Sequence, residues 1–311
     1  RGATEAMPDG VVSLDTHNQI TYASQKAQQH IGLKGEIDLG RSIVNLLRHP
    51  QFARYLEKED WSEPLVLHDV PQIGQILQVQ IVPYGQSERL LLSRDVTQIQ
   101  KLETTRRDFV ANVSHELKTP LTVLSGFIET LRDLPLNDTQ RSSALSTMGG
   151  QAERMQRLID DLLALARLES DHKPVSSRFF HALPLIERTL GDARQLSRDQ
   201  HRIVYQQQPG PLEISGDEQE LASAFGNLVS NAVRYTPENG SITIGWQWID
   251  NGRAAFWVRD TGPGIAPEHL SRLTERFYRV DKGRSRVSGG TGLGLAIVKH
   301  IASRHQLELS I

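Results

Sequence analysis

Cysteine is absent from the 311 residues, which excludes disulfides and thiolate metal sites and suits a reducing compartment. Long apolar runs are absent as well. No stretch reaches the roughly 18 residues of a membrane span, and no secretory signal opens the chain. Nor is there a charge excess of one sign, because 35 basic and 37 acidic side chains leave a formal −2. That balance gives no footprint for nucleic acid or an anionic membrane surface. Internal repeats and low-complexity tracts are missing too. An initiating methionine is also lacking. The chain runs from Arg1 to Ile311, and both ends read as cut.

What is present exceeds one ordinary core, so two or three domains are expected. Residues 1–97 alternate short apolar runs with turn residues. Gly10–Leu14 and Gln19–Ala23 flank Asp15–Asn18 as a hairpin. Runs at 64–67, 74–82 and 89–92 predict three more strands, with helices over 24–31 and 43–55. The expectation is a small α+β domain of about five strands.

From about 98 to 171 the pattern turns helical. Val110, Val113, Leu117, Leu121, Leu124, Ile128 and Leu131 form one apolar stripe, interrupted near Pro120. Leu134–Asp138 breaks the helix. A second helix follows with Leu145, Met148, Ala152, Met155, Ile159, Leu162 and Ala166 alternating spacings of three and four, a heptad seam. Two such helices leave their stripes open. Pairing with a second copy in a four-helix bundle would bury them, and so would packing on the same chain.

Residues 172–311 return to mixed α/β. Asp217–Glu220 has capping-box spacing and opens a helix to about Tyr235. Strands are predicted over 241–249 and 254–260, joined by the turn at Asp250–Gly252. A last helix is predicted over 293–304.

The chemistry begins with Ser114-His115-Glu116-Leu117-Lys118-Thr119-Pro120. His115 points away from the apolar stripe at about 100° per residue, which disfavours a core role. Zinc spacing of the HExxH kind fails, because Thr119 stands at its last position. An exposed imidazole beside Glu116 suits either a general base or a nucleophile. Pro120 removes the helix hydrogen bond to the Glu116 carbonyl and predicts a bend.

Asn227 and Asn231 share one helix face, and Arg234 and Tyr235 follow one turn later. Amide oxygens suit a Mg²⁺ that bridges phosphates. Asp260-Thr-Gly262-Pro-Gly264 places a carboxylate and two glycines at a strand end, where an exocyclic amine could donate and a flat ligand approach. Gly290-Thr291-Gly292-Leu293-Gly294 leads into a helix, so its N–H groups could meet a phosphate. Neither Walker nor Rossmann spacing fits this loop. Phe277–Arg279 and the polar run 281–288 read as a lid.

In this order and spacing the motifs resemble those of the sensor histidine kinases of two-component signalling. SHELKTPL is similar to the family's phospho-acceptor box and Asn227–Tyr235 to its N box. Asp260–Gly264, Glu275–Arg279 and Gly290–Gly294 resemble its first glycine, F and second glycine boxes. MPDGVVSLD, NLLRHPQFARYL, RDVTQIQKLE and RFYRVDKGRSR resemble the phosphate-regulon branch of that family.

The resemblance implies a multidomain α+β chain. A PAS sensor domain (1–97) would precede an antiparallel helical hairpin for dimerisation and phosphotransfer (98–171), which forms a dimeric four-helix bundle. A gyrase/Hsp90/histidine-kinase-type α/β-sandwich ATP-binding domain (172–311) would follow, with part of its sheet beyond Ile311. It further implies that His115 attacks the γ-phosphate of ATP with Glu116 as base, and that Thr119 holds water for dephosphorylation of the partner. Asn231 would ligate Mg²⁺ beside Asn227, with Arg234 and Tyr235 near the phosphates and Asp260 reading adenine. Gly262, Gly264, Gly290, Thr291, Gly292, Leu293 and Gly294 would complete the nucleotide site.

The implied partners are a second copy, a response regulator of the phosphate regulon that accepts the phosphoryl group on aspartate, and transporter-associated proteins at the PAS domain. A membrane anchor is expected upstream of Arg1. Arg234 departs from the lysine of many members, keeping charge with a different geometry. Gyrase-type ATPases carry a glutamate where Asn227 stands, so hydrolysis as the main outcome is disfavoured. A non-catalytic, nucleotide-dependent switch is the other alternative.

Overall fold

The computed structural model describes residues 7–58, 60–68, 70, 74–85, 88–170, 178–208, 212–249, 253–280 and 290–311. The chain divides into two bodies, Arg1–Asp108 and Phe109–Ile311.

In the first body, short apolar runs bounded by turn residues produce β1 (Gly10–Leu14), β2 (Ile20–Ala23), β3 (Leu65–Leu67), β4 (Leu77–Tyr84) and β5 (Glu88–Asp95). They form one antiparallel sheet in the order β2-β1-β5-β4-β3. Between β2 and β3 lie α1 (Gln25–Ile31), α2 (Ile43–Leu46) and α3 (Pro50–Glu57). Ser24 caps α1 by accepting the Ala27 N–H, and Gly32 closes it in the left-handed region at φ 77°. Val12, Leu14, Ile20, Phe52, Leu77, Ile81 and Leu91 make the core. The single helix expected over 43–55 is two. Pro50 disfavours helical backbone at His49, so the chain breaks there and restarts with proline in the first turn of α3.

Helix α4 (Thr97–Asp133) and helix α5 (Asp138–Ser170) form the hairpin, joined by residues 134–137. Helical assignment is continuous through Pro120. The heptad seam of α5 stays largely open, with Leu145 at 54% and Ile159 at 39% exposure, as does Leu121 on α4 at 55%. A different face of α5 is buried. Leu158 and Leu165 enter the core of the C-terminal layers together with Leu185, Leu221 and Ile297. Burial of each leucine contributes about 1.5–3 kcal/mol. Packing on the same chain is thus one solution the hairpin uses, and it leaves the heptad seam uncovered on another face of the same helix.

The C-terminal layers add β6 (Arg178–His181), α6 (Ala182–Ser197), β7 (Arg202–Gln207), β8 (Glu213–Gly216) and α7 (Glu218–Tyr235). They continue with β9 (Ser241–Ile249), β10 (Arg253–Asp260), the short α8 (Pro267–Leu270) and α9 (Gly294–Arg304). Strands run β10-β9-β7, the last pair parallel, and β6 pairs with β8. Ile242, Ile244 and Trp246 of β9 meet α6, α7 and α9 on one sheet face, and Phe225 stacks on Phe256 with centroids 3.8 Å apart. Helix α6 and strands β6 to β8 fall in the stretch that the sequence marks only as mixed α/β. The turn at 250–252 and the lid at 281–288 lie outside the described residues.

Candidate functional site

Three elements converge where helix α7 ends and helix α9 begins. Asp217 starts α7 by accepting the N–H groups of Gln219 and Glu220 at 2.9 and 3.0 Å. That cap fixes the helix whose far turns carry Asn227, Asn231, Arg234 and Tyr235. Asn227 donates to the Ser223 carbonyl at 2.9 Å, so its Oδ1 turns outward to Gly294. A Cβ on Gly294 would stand 2.6 Å from that oxygen, so only glycine lets α9 start this close to α7. Gly292 has φ 74°, and a Cβ there would lie 2.9 Å from the Phe277 Cα. Phe277 in turn donates its N–H to the Gly292 carbonyl at 2.8 Å. The loop Gly290–Gly294 is therefore gripped from both sides, with Leu293 fully buried as its anchor.

Arg234 borders the same loop, 3.3 Å from where a Gly290 Cβ would be, and Arg279 lies 3.4 Å from that point. Burial pushes the Arg234 guanidinium below its usual range; Arg157 and Arg279 add to this, while Tyr235 and Asp161 oppose it. A crowded, partly buried set of cations is a ready site for a polyanion. Tyr235 is exposed, and Asn231 is half-buried on the same face as Asn227.

Asp260 sits at the end of β10. Its Oδ1 accepts the Gly262 N–H at 2.7 Å, which leaves the other oxygen for a ligand amine. Gly262 also packs under the Tyr235 carbonyl, where a Cβ would come within 2.9 Å. A cleft of about 640 Å³ begins at Asp260, Gly262 and Gly264 and continues over Gln206, Gln247, Trp257 and Arg259. Those last four lie on the sheet face opposite the helices. Asp260 thus stands at the rim of that cleft, and Gly262 links it to the Tyr235 end of α7.

The hairpin meets these layers along one side. His115 is exposed on α4, and its carbonyl accepts the Thr119 hydroxyl at 3.1 Å. Glu116 accepts from Arg154 of α5 at 3.0 Å and lies 3.7 Å from Arg279. Thr291 donates to Asp161 of α5 at 2.7 Å. Arg276 pairs with Glu169, which also lies 3.5 Å from His300, and Arg276 covers the Phe109 ring. Phe109 and Phe277 rings are tilted at 5.8 Å.

The sequence reading named the glycine and asparagine motifs that meet here, but it missed Arg154, Asp161, Glu169 and Phe109. These act across elements distant in sequence, and no local spacing marks them. Among the described residues, no three His, Asp or Glu side chains form a metal cage. The donors that converge instead are amides, guanidiniums, a hydroxyl and helix-start N–H groups, a set that fits a triphosphate and a metal bound through it. Among the described residues, no helix is long and apolar enough to cross a membrane.

Comparison with known proteins gives three matched families. Residues 216–311 match "Histidine kinase-, DNA gyrase B-, and HSP90-like ATPase", residues 105–171 match "His Kinase A (phospho-acceptor) domain", and residues 1–76 match "PAS fold". The chain is 46% identical over 311 residues to the phosphate regulon sensor protein PhoR of Pseudomonas aeruginosa, covering 99% of this chain and 70% of that protein. It is 33% identical to PhoR of Haemophilus influenzae, over 98% of this chain and 71% of that one. A solved histidine kinase, ThkA in complex with the response regulator TrrA, is 21% identical with a TM-score of 0.48, over 87% of this chain and 84% of that chain.

Proposed function

The chain belongs to the sensor histidine kinases, among the PhoR-like members, and on that premise we propose that His115 is the residue it phosphorylates. As a protein-histidine kinase it uses ATP. In the reaction a ring nitrogen of neutral His115 attacks the γ-phosphorus. The P–N bond forms as the bond to the ADP oxygen breaks, and Glu116 takes the proton from the other ring nitrogen. Asn227, Arg234 and the N–H groups of Gly290–Gly294 orient the phosphates, with Tyr235 beside them. Asp260, Gly262 and Gly264 seat the adenine. Mg²⁺ would neutralise phosphate charge when bound, and the Asn231 amide oxygen would hold it.

The observation that carries this reading is Glu116 lying 3.7 Å from Arg279. The neighbour of His115 thereby reaches the same arginine that borders the glycine loop. That proximity supports the reading of acceptor and phosphate loop as parts of one site.

The phosphoryl group then passes to an aspartate on a response regulator of the phosphate regulon, in a phosphate-starvation response. Thr119 supports the reverse activity, its hydroxyl turning from the His115 carbonyl to hold the attacking water. The open seam on α5 supports a homodimeric bundle. A PAS domain over 1–97, a hairpin over 98–171 and an ATP-binding domain over 172–311 divide the labour. The PAS domain takes its signal from transporter-associated proteins beside an inner-membrane anchor outside this chain.

Incubation with ATP labelled at the γ-phosphate tests the assignment. Wild type takes label and His115→Gln does not, while both bind a nonhydrolysable ATP analogue. Equal labelling of the variant refutes His115 as the acceptor. Binding without label in the wild type identifies a non-catalytic switch.

A further inference from the structure

Asp161 belongs to none of the motifs that point to nucleotide, yet it touches one. From α5 its Oδ2 accepts the Thr291 hydroxyl at 2.7 Å, and that hydroxyl lies 3.3 Å from the Leu293 N–H. Leu293 caps α9, where the first N–H groups lack carbonyl partners. Arg234 stands beside the same loop, and Arg157 lies one turn before Asp161 on α5. A hydroxyl, a helix start and guanidinium charge are the partners a phosphate oxygen would take. Burial raises the Asp161 pKa, partly offset by the Thr291 hydrogen bond and by Arg234. The Thr291 hydroxyl is the donor that meets the buried carboxyl directly.

We infer that Asp161 is a built-in stand-in for a nucleotide phosphate, holding the Thr291 hydroxyl of the glycine loop beside Arg234 and tying the ATP-binding layers to the hairpin until a triphosphate displaces it. The inference rests on the reading of Gly290–Gly294 as a phosphate loop. It is a competition between two anions for the Thr291 hydroxyl and the guanidinium charge beside it, and no covalent step is involved. By linkage, the docked carboxylate weakens nucleotide binding, and nucleotide weakens the docking by the same factor. Glu169, two turns further along α5, gives the contrast. Its partners are Arg276 and His300, neither of them in the glycine loop.

Calorimetric titration of the whole chain with ADP and with a nonhydrolysable ATP analogue tests this in wild type, Asp161→Asn and Glu169→Gln. Asparagine keeps the size and an acceptor for Thr291 but removes the charge. Asp161→Asn is expected to bind the analogue about tenfold more tightly at low salt, with a smaller gain for ADP and a shrinking gain as salt rises. Glu169→Gln should stay within about twofold of wild type. Wild-type binding with no gain in Asp161→Asn overturns this inference alone. An equal gain in Glu169→Gln also overturns it, because release of the layers from the hairpin would then suffice. Absence of nucleotide binding in wild type overturns the phosphate-loop reading and this inference with it.

Discussion

Glu116 accepts a 3.0 Å hydrogen bond from Arg154, so the residue next to His115 is held by the opposite helix of the hairpin. Both side chains are mostly shielded, at 25% and 14% exposure, so the pair is more than a solvated surface bridge. Arg154 fixes the carboxylate's direction. Arg154→Ala is expected to lower the initial rate of His115 labelling about tenfold at saturating ATP with little change in KM, and Arg154→Lys to restore part of it. Glu116→Gln should cost more, in the range of about 10²–10⁴ for a lost general base. Rapid-quench labelling separates the two. An unchanged rate in Arg154→Ala would remove it from the reaction.

Gly294 offers a steric test of the nucleotide site. Because a Cβ there would stand 2.6 Å from Asn227 Oδ1, Gly294→Ala must push α9 from α7 or turn the amide. Either movement displaces the loop's N–H groups. Nucleotide affinity is expected to fall at least about tenfold, with a stability loss of about 1–3 kcal/mol from overpacking. Gly126→Ala on the exposed face of α4, where nothing lies within 4 Å, serves as the control: nucleotide affinity should hold and stability should rise by about 0.5–1 kcal/mol.

The local elements were legible because their signals are local. The Asp217 cap, the short apolar runs of β1 and β5 and the long stripes of the hairpin are each written in neighbouring residues. Helix α6 carries Leu185, Ile186, Leu190 and Ala193 at helical spacing and could have been read, but its proline at 184 and flanking short strands blurred the pattern. Leu158 and Leu165 were illegible for a different reason. They lie beside the heptad seam on the same helix, and only the tertiary fold decides which face is covered from within the chain. Asp161 and Thr291, separated by 130 positions, illustrate the same limit at the site.

The uncovered seam predicts that a second copy completes the bundle. Ile159→Asp places a charge where the sequence repeats apolar residues, on a surface 39% exposed in the single chain. Sedimentation equilibrium should show a dimer for wild type and a monomer for Ile159→Asp, with nucleotide affinity within about twofold. Leu158→Ala, one position away on the buried face, should do the reverse: the dimer persists, and the ATP-binding layers lose about 2–5 kcal/mol of stability or docking. A monomeric wild type would end the bundle proposal.

His300 makes the hairpin contact sensitive to pH. Burial lowers its pKa below the ordinary 6.5; Glu169 opposes the shift, and Arg276 and Lys299 add to it. The folded protein therefore prefers the neutral ring, while the unfolded chain takes a proton first as pH falls. Above 6.5 this contribution to stability is complete. It is lost progressively from 6.5 down to the depressed folded value, because in that window the unfolded state binds more protons. Melting curves recorded from about pH 7.5 to about pH 5.5 should fall more steeply for wild type than for His300→Asn, the difference cancelling the other histidines. A proton titration of the His300 ring by NMR provides the direct check, with its midpoint expected below 6.5. A midpoint above that value would mean that Glu169 outweighs burial, and the contact would then tighten on acidification.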